Sequence, residues 1–215
     1  MKFELFYPYR PFQVSQNFGE NKACCFPNLS GVVSENPDGT CPAGKVKLYP
    51  LLGMKGHTGQ DLYAPMGAIL RSPLDGVVEE VQTEIERGLG VGIVSNDKRD
   101  MGEYGSHYAK VRQWHLKVIL VVKGQKVNCG DPIGLADSTG LSSASHNHFE
   151  LKPVEYINGV LVNVYQTNGY YGSIDPAPYW NGVYAADYRS ITQDIPAMLM
   201  KLALGIQNYL KGRQK

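Results

Sequence analysis

Gly76-Val77-Val78-Glu79-Glu80-Val81 sets the pattern of this chain: a brief apolar run bounded by turn formers, the length of a strand rather than a helix. Ala68-Ile69-Leu70 precedes it, and Val91-Gly92-Ile93-Val94 and Val118-Ile119-Leu120-Val121-Val122 follow. From Tyr49 to Leu151 such runs alternate with Gly, Pro and Asp turns. That spacing predicts an all-β fold, an antiparallel β-sandwich or barrel-sandwich, and argues against βαβ units. Upstream, Val14-Ser15-Gln16-Asn17-Phe18-Gly19 reads as a short strand followed by a turn. Downstream, Asn158-Gly159 is a strong two-residue turn signal, so a hairpin is expected through Val154–Val164. The composition agrees: Gly 24, Pro 13 and Tyr 14 set turn formers beside strand-favouring aromatics.

Two segments break the pattern. Residues 22–48 hold Pro27, Asn28, Gly31, Pro37, Asp38, Gly39, Pro42 and Gly44 with little periodicity, and read as an irregular insertion. From Ile191 onward, Ile195, Met198, Leu199, Leu202, Ile206 and Tyr209 recur at helical spacing. They predict an amphipathic helix at about 192–211, capped by Thr192 or Asp194, with Lys211, Arg213 and Lys215 at the end that suits cations. The expected organisation is one domain over residues 1–180, containing the insertion, and a tail over 181–215. The helix is expected to dock on its own domain, or to self-associate with a second copy, rather than to enter a membrane.

Composition also narrows the function. At 215 residues the chain is long enough for one well-cored domain, and its 43% hydrophobic and 19% charged residues are ordinary for a globular protein. A formal net charge of +1 gives no electrostatic footprint for nucleic acid. No apolar stretch is long enough to span a membrane. Glu4, Pro8, Arg10 and Pro11 interrupt the N-terminal segment where a signal peptide needs an unbroken apolar region. Of Cys24, Cys25, Cys41 and Cys129 none forms a Cys-x-x-Cys pair, so no thiolate metal site is expected. The first three cluster in the insertion. Free thiols are the plain reading; the alternative pairs Cys41 with Cys24 or Cys25 in an oxidising compartment.

The histidines carry the chemistry. There are five: His57, His107, His115, His146 and His148. In a strand, residues two apart point to the same face, so His146 and His148 would project side by side, one suited to a metal and one to acid–base work. His57 and Asp61 share a face if their segment is extended. Two histidines and one aspartate make the three-ligand set of a catalytic zinc, which keeps one position for water.

In order along the chain, Gly56-His57-x-Gly59-x-Asp61-Leu62, Asp75-Gly76-Val77-Val78, Val122-Lys123-x-Gln125-x-Val127, Ser138-Thr139-Gly140 and His146-x-His148-Phe149-Glu150-Leu151 resemble the lysostaphin/LytM zinc metallopeptidases. Gln16-Asn17-Phe18-Gly19-Glu20 adds to the likeness, which covers roughly residues 14–180. The resemblance implies a zinc metallopeptidase core with His57, Asp61 and His148 as ligands, and hydrolysis of peptide bonds in bacterial peptidoglycan. It implies that His146 and one upstream histidine assist catalysis. Trp114-His115-Leu116, nine residues before Gly124, matches the upstream segment, so His115 is assigned that role and His107 is read as exposed or supporting. Such an enzyme would reach the wall after lysis or on a phage particle. The alternative is a non-catalytic wall-binding, structural or regulatory relative, whose mark would be lost ligands; all are present.

Three features depart from the family's pattern: Asn147 between the two histidines, Ser143-Ala144-Ser145 before them, and the insertion. Glu150 lies on the His146/His148 face of a regular strand, where it either orients a ligand or sits at the surface. Trp114, Tyr104 and Tyr108 are expected in core or hairpin positions, with a groove-lining role as the alternative.

Overall fold

The structure, a computed structural model, describes residues 3–187. The helix expected at about 192–211 lies outside the described residues. In chain order the elements are β1 (Leu5–Tyr7), β2 (Val14–Gln16), β3 (Ala23–Cys25), β4 (Val33–Ser34), β5 (Val46–Lys47) and a one-turn helix, α1 (Leu48–Leu51). Then come β6 (Gln60–Tyr63), β7 (Ile69–Arg71), β8 (Gly76–Glu84), β9 (Gly88–Asp100), β10 (Ser106–Ile119), β11 (Lys126–Val127) and β12 (Pro132–Ala136). The last are β13 (His146–Ile157), β14 (Val160–Asn163) and β15 (Trp180–Tyr184).

Ten strands form one sheet with the order β11-β8-β9-β10-β13-β6-β2; β12 pairs with β10 and β7, and β14 pairs with β13. Every pairing in this sheet is antiparallel. The one parallel contact among the described residues is β1 with β15, which joins the two ends of the described chain. Aromatic rings hold that contact: Tyr7 stacks on Phe12, and both lie edge-on or tilted to Trp180. The Asn158-Gly159 hairpin forms as expected, with both residues at positive φ (51° and 79°) as a type I′ turn requires.

The sheet's centre is covered on both faces, which explains why alternation is weak there. In β10 every residue from Ala109 to Leu116 is buried. Ala109 and Val111 point into the main core with Phe149 and Leu151 of β13, Val91 and Ile93 of β9, Leu70 of β7 and Ile133 of β12. The opposite face is equally buried but charged: Lys110 and Arg112 of β10 lie beside Glu150 and Lys152 of β13. Gly90 makes room on this face, since a Cβ there would stand 2.0 Å from the Trp114 ring. Trp114 is therefore packed away, as expected, and does not line a groove.

The insertion is more ordered than its sequence suggests. β3 pairs with β4 and β5 in a three-stranded sheet, and Cys24 is bonded to Cys41. The free-thiol reading fails at these two positions. A closed loop of about this length stabilises by roughly 3 kcal/mol in chain-entropy terms, which offsets the lack of a large core. Cys25, Leu48, Tyr49 and Met54 form a small apolar cluster beneath it.

Candidate active site

Two strands and one bend assemble the site. β13 pairs with β6 so that His148 stands directly opposite Asp61. His57 lies outside β6, in a bent segment; its backbone N–H donates to Glu20 O and its carbonyl accepts from Gly19 N. The expected extended segment is thus replaced by a turn that reaches the same result. Gly59 permits it: a Cβ there would stand 2.1 Å from the Phe149 carbonyl oxygen. His57 Nε2 lies 3.0 Å from Asp61 Oδ1 and 2.8 Å from His148 Nδ1, and His148 Nδ1 lies 2.9 Å from Asp61 Oδ1. All three donor atoms fall within 4.8 Å of one another. Two imidazole nitrogens and a carboxylate oxygen turned to one point fit a divalent cation that accepts nitrogen and oxygen.

Each ring is fixed through its other nitrogen. His57 Nδ1–H donates to Asn17 O at 3.1 Å, leaving Nε2 for the centre. His148 turns Nε2 away, towards Thr58 Oγ1 at 3.4 Å and Glu150 Oε1 at 3.5 Å. His115 Nδ1–H donates to Thr139 O at 2.6 Å, and His146 Nδ1–H donates to Ala144 O at 2.8 Å. The Nε2 of His146 stands 3.4 Å from Asp61 Oδ1. The His115 ring lies 4.5 Å from His146 and 5.9 Å from His148, centroid to centroid. A buried ring, His115, and a half-buried one, His146, each anchored on a backbone carbonyl, therefore flank the three-atom cluster.

His115 adopts φ 64°, a left-handed conformation rare outside glycine, where the pairing of β10 with β9 breaks register. Such positions cost on the order of 1–3 kcal/mol and gather at functional sites. The bulge is held by His115 N–H donating to Arg87 O and by Asp137 N–H donating to His115 O.

Electrostatically the groups differ. Burial, with help from His146 and His148, drives His115 down to about 3, so it is neutral. Burial opposes charge on His146 as well, but the Asp61 carboxylate outweighs it and moves His146 up. Burial likewise opposes charge on Asp61; His57, with hydrogen bonds from His146 and His148, holds the carboxyl well below its usual range.

These residues form the floor of a cleft of about 580 Å³. Ala23, Val32 and Val33 of the insertion with Leu48, Tyr49 and Met54 supply an apolar wall; Glu86, Arg87 and Ser142 supply a polar one. His107 stands elsewhere, at the start of β10, with Nδ1 2.7 Å from Glu155 Oε1. Glu150 is fully buried and not at the surface. Asn147 points to the opposite side, where its amide donates to Gln113 Oε1 at 2.9 Å. Sequence reasoning missed Asn17, Thr58 and Ala144 as ring anchors, and quoted Thr139 without a role. Thr58 acts through its hydroxyl, but the other three act through backbone carbonyls, which no residue type marks.

A model of peptidase family M23 matches residues 55–164. The chain is 38% identical over 107 residues to the glycyl-glycine endopeptidase ALE-1 of Staphylococcus capitis, a match covering 47% of this chain and 26% of that protein. It is 35% identical over 112 residues to the peptidoglycan DD-endopeptidase ShyA of Vibrio cholerae, covering 52% and 23% respectively. The chain thus spans about a quarter of the length of these relatives. Among solved structures, a zinc containing peptidase from Vibrio cholerae aligns with a TM-score of 0.47 at 26% identity, covering 75% of this chain and 39% of that one.

Proposed function

The chain belongs to peptidase family M23, and from that membership we propose that it is a zinc-dependent endopeptidase acting on the peptide part of bacterial peptidoglycan. One observation carries the reading: His57 Nε2, Asp61 Oδ1 and His148 Nδ1 converge at the floor of an open cleft, with His115 and His146 beside them. These three would hold the metal. A zinc ion bound there supplies a Lewis acid for the scissile carbonyl and lowers the pKa of water towards about 7.

The chain's own groups handle protons and position. His146, drawn towards the protonated state by Asp61, accepts a proton from the attacking water at Nε2 and passes it to the amine released when the C–N bond breaks. His115, neutral and locked by Thr139, presents an Nε2 lone pair that accepts a hydrogen bond from the same water. The apolar wall and Arg87 border the path of the peptide chain. A non-catalytic binding role leaves this matched pair of anchored histidines without purpose.

Two measurements test the reading. Protein purified without added metal should hold about one zinc per chain, and a His148→Ala variant should hold little; equal zinc in both defeats the ligand set. Mass analysis of fragments from peptidoglycans of differing cross-link chemistry should show cleavage of one bond type, and intact sacculi throughout would defeat the enzyme reading. The relatives' names point to two candidate bonds, a glycyl-glycine bridge and a DD cross-link. Delivery after lysis or on a phage particle is part of the proposal, tested by locating the protein in purified particles and in lysates.

A further inference from the structure

Behind His148, on the Nε2 side of its ring, lies a polar arrangement centred on the buried Glu150, which meets the cleft at Thr58 and Arg87. Glu150 follows His148 by two residues on the same face of β13 and has no exposed surface. Thr58 Oγ1 donates to Glu150 Oε1 at 2.7 Å. The same hydroxyl stands 3.4 Å from His148 Nε2, and Glu150 Oε1 stands 3.5 Å from that nitrogen. Glu150 has cations on three sides: Arg112 Nη1 at 3.3 Å, Lys152 Nζ at 3.6 Å and Arg87 Nε at 3.7 Å. Arg112 is held in turn by Glu80 and Glu84, and Lys110 by Glu80.

We propose that Thr58 and Glu150 are positioning residues for His148: they accept a hydrogen bond from its Nε2–H and so leave the Nδ1 lone pair turned to Asp61 and His57. This rests on the metal reading above and extends it to the group behind the ligand. Imidazole carries one proton on two nitrogens, and only the bare nitrogen can ligate. Every partner of Nε2 here is an oxygen. One is a hydroxyl that has already donated its hydrogen to Glu150, so it faces the ring with a lone pair; the other is the carboxylate itself. Both therefore require Nε2 to carry the hydrogen. The carboxylate is buried without loss of charge because the three cations surround it. A carboxylate behind an imidazole ligand also raises the ligand's basicity and fixes its ring plane, and losing such a partner typically costs 10–100-fold in metal affinity. Thr58 lies one residue from His57, so the turn that delivers one ligand also delivers the hydroxyl that orients another.

The test uses the full-length, zinc-loaded protein and the variants Thr58→Val, Thr58→Ser and Glu150→Gln. Zinc affinity is read by competition with a chelator, the imidazoles by their ¹⁵N spectrum, and peptidoglycan hydrolysis by kcat and KM separately. Thr58→Val should weaken zinc by roughly 10–100-fold, blur or remove the His148 Nε2–H signal, and lower kcat while leaving KM near wild type. Thr58→Ser, which restores the hydroxyl, should recover all three. Glu150→Gln should act in the same direction; should it fail to fold among its three cations, the Thr58 pair still decides. A Thr58→Val protein that holds zinc as tightly as wild type with an unchanged Nε2–H signal overturns the proposal, as does a Thr58→Ser protein no better than Thr58→Val. A wild-type protein that takes up no zinc overturns the metal reading itself, visibly so before any variant is compared, and this proposal with it.

Discussion

His115 shows what a single position carries. Its backbone is strained at φ 64°, its Nδ1 is committed to Thr139 and its ring packs on His146. Its loss should therefore cost rate and not metal. His115→Ala is expected to slow wall hydrolysis by roughly 10²-fold with zinc content unchanged, while His107→Ala, which breaks contacts with Glu155 and Tyr165 away from the site, should keep most activity. The reverse pattern would exchange the two assignments. The same ring has a pH signature. Its ordinary value is 6.5 and burial lowers it to about 3, so between those values the unfolded chain binds a proton that the folded chain refuses. Stability therefore falls as pH drops through that window, by at most about 1.4 kcal/mol per unit. In metal-stripped protein, wild type should lose more stability than His115→Gln between pH 6.5 and 5, measured by denaturant unfolding; parallel losses would refute it. At this scale much was legible in the sequence. His57, Asp61, His115, His146 and His148 stood out because their chemistry is uncommon and their spacing specific, and the structure gathers all five. Their anchors were hidden. Asn17, Thr139 and Ala144 act through backbone carbonyls, which every residue possesses, and the bulge at His115 leaves no compositional trace.

Elements repeat the lesson in another form. Strands β7, β8 and β9 announced themselves through apolar runs and the Asn158-Gly159 turn through its chemistry, whereas the run Val118–Val122 meets only the last two residues of β10. β3, β4 and β5 did not, because strands of two or three residues are too short to show a period. What secures them is the Cys24–Cys41 bond and the small cluster around Leu48, Tyr49 and Met54. The charged row on β10 and β13 was equally obscure, because alternation predicts which residues share a face but not whether a polar face is covered. The insertion sheet supplies one wall of the cleft, so its order should matter to substrate more than to chemistry. Replacing Cys24 and Cys41 by serine is expected to remove about 3 kcal/mol of local stabilisation, raise KM several-fold and leave kcat near wild type. Reductant should reproduce the effect in the native protein and do nothing to the double variant. A change in kcat alone would mean that the wall supports the histidines instead.

On the scale of the whole molecule, metal and fold are coupled. The three ligands come from segments separated by as many as 91 residues, so a bound ion ties β6 to β13 and stabilises the folded state by mass action, by about 2.7 kcal/mol at a hundred times the dissociation constant. Stripping the metal should lower the melting temperature and abolish hydrolysis together, and zinc should restore both; a melting point indifferent to zinc would place the ion elsewhere. The sheet order adds a consequence in time. β13 stands between β10 and β6, so until it is in place the ribbon of β6 and β2, with His57 and Asp61, has no pairing to the strand that bears His115. A ribosome that has translated only as far as Ser145 has made three of the five histidines and no assembled site. Sheets built from distant pairings also close slowly. Synthesis thus leaves the ligand set unassembled for an interval that ends when β13 slides home: the fold is a delay fuse.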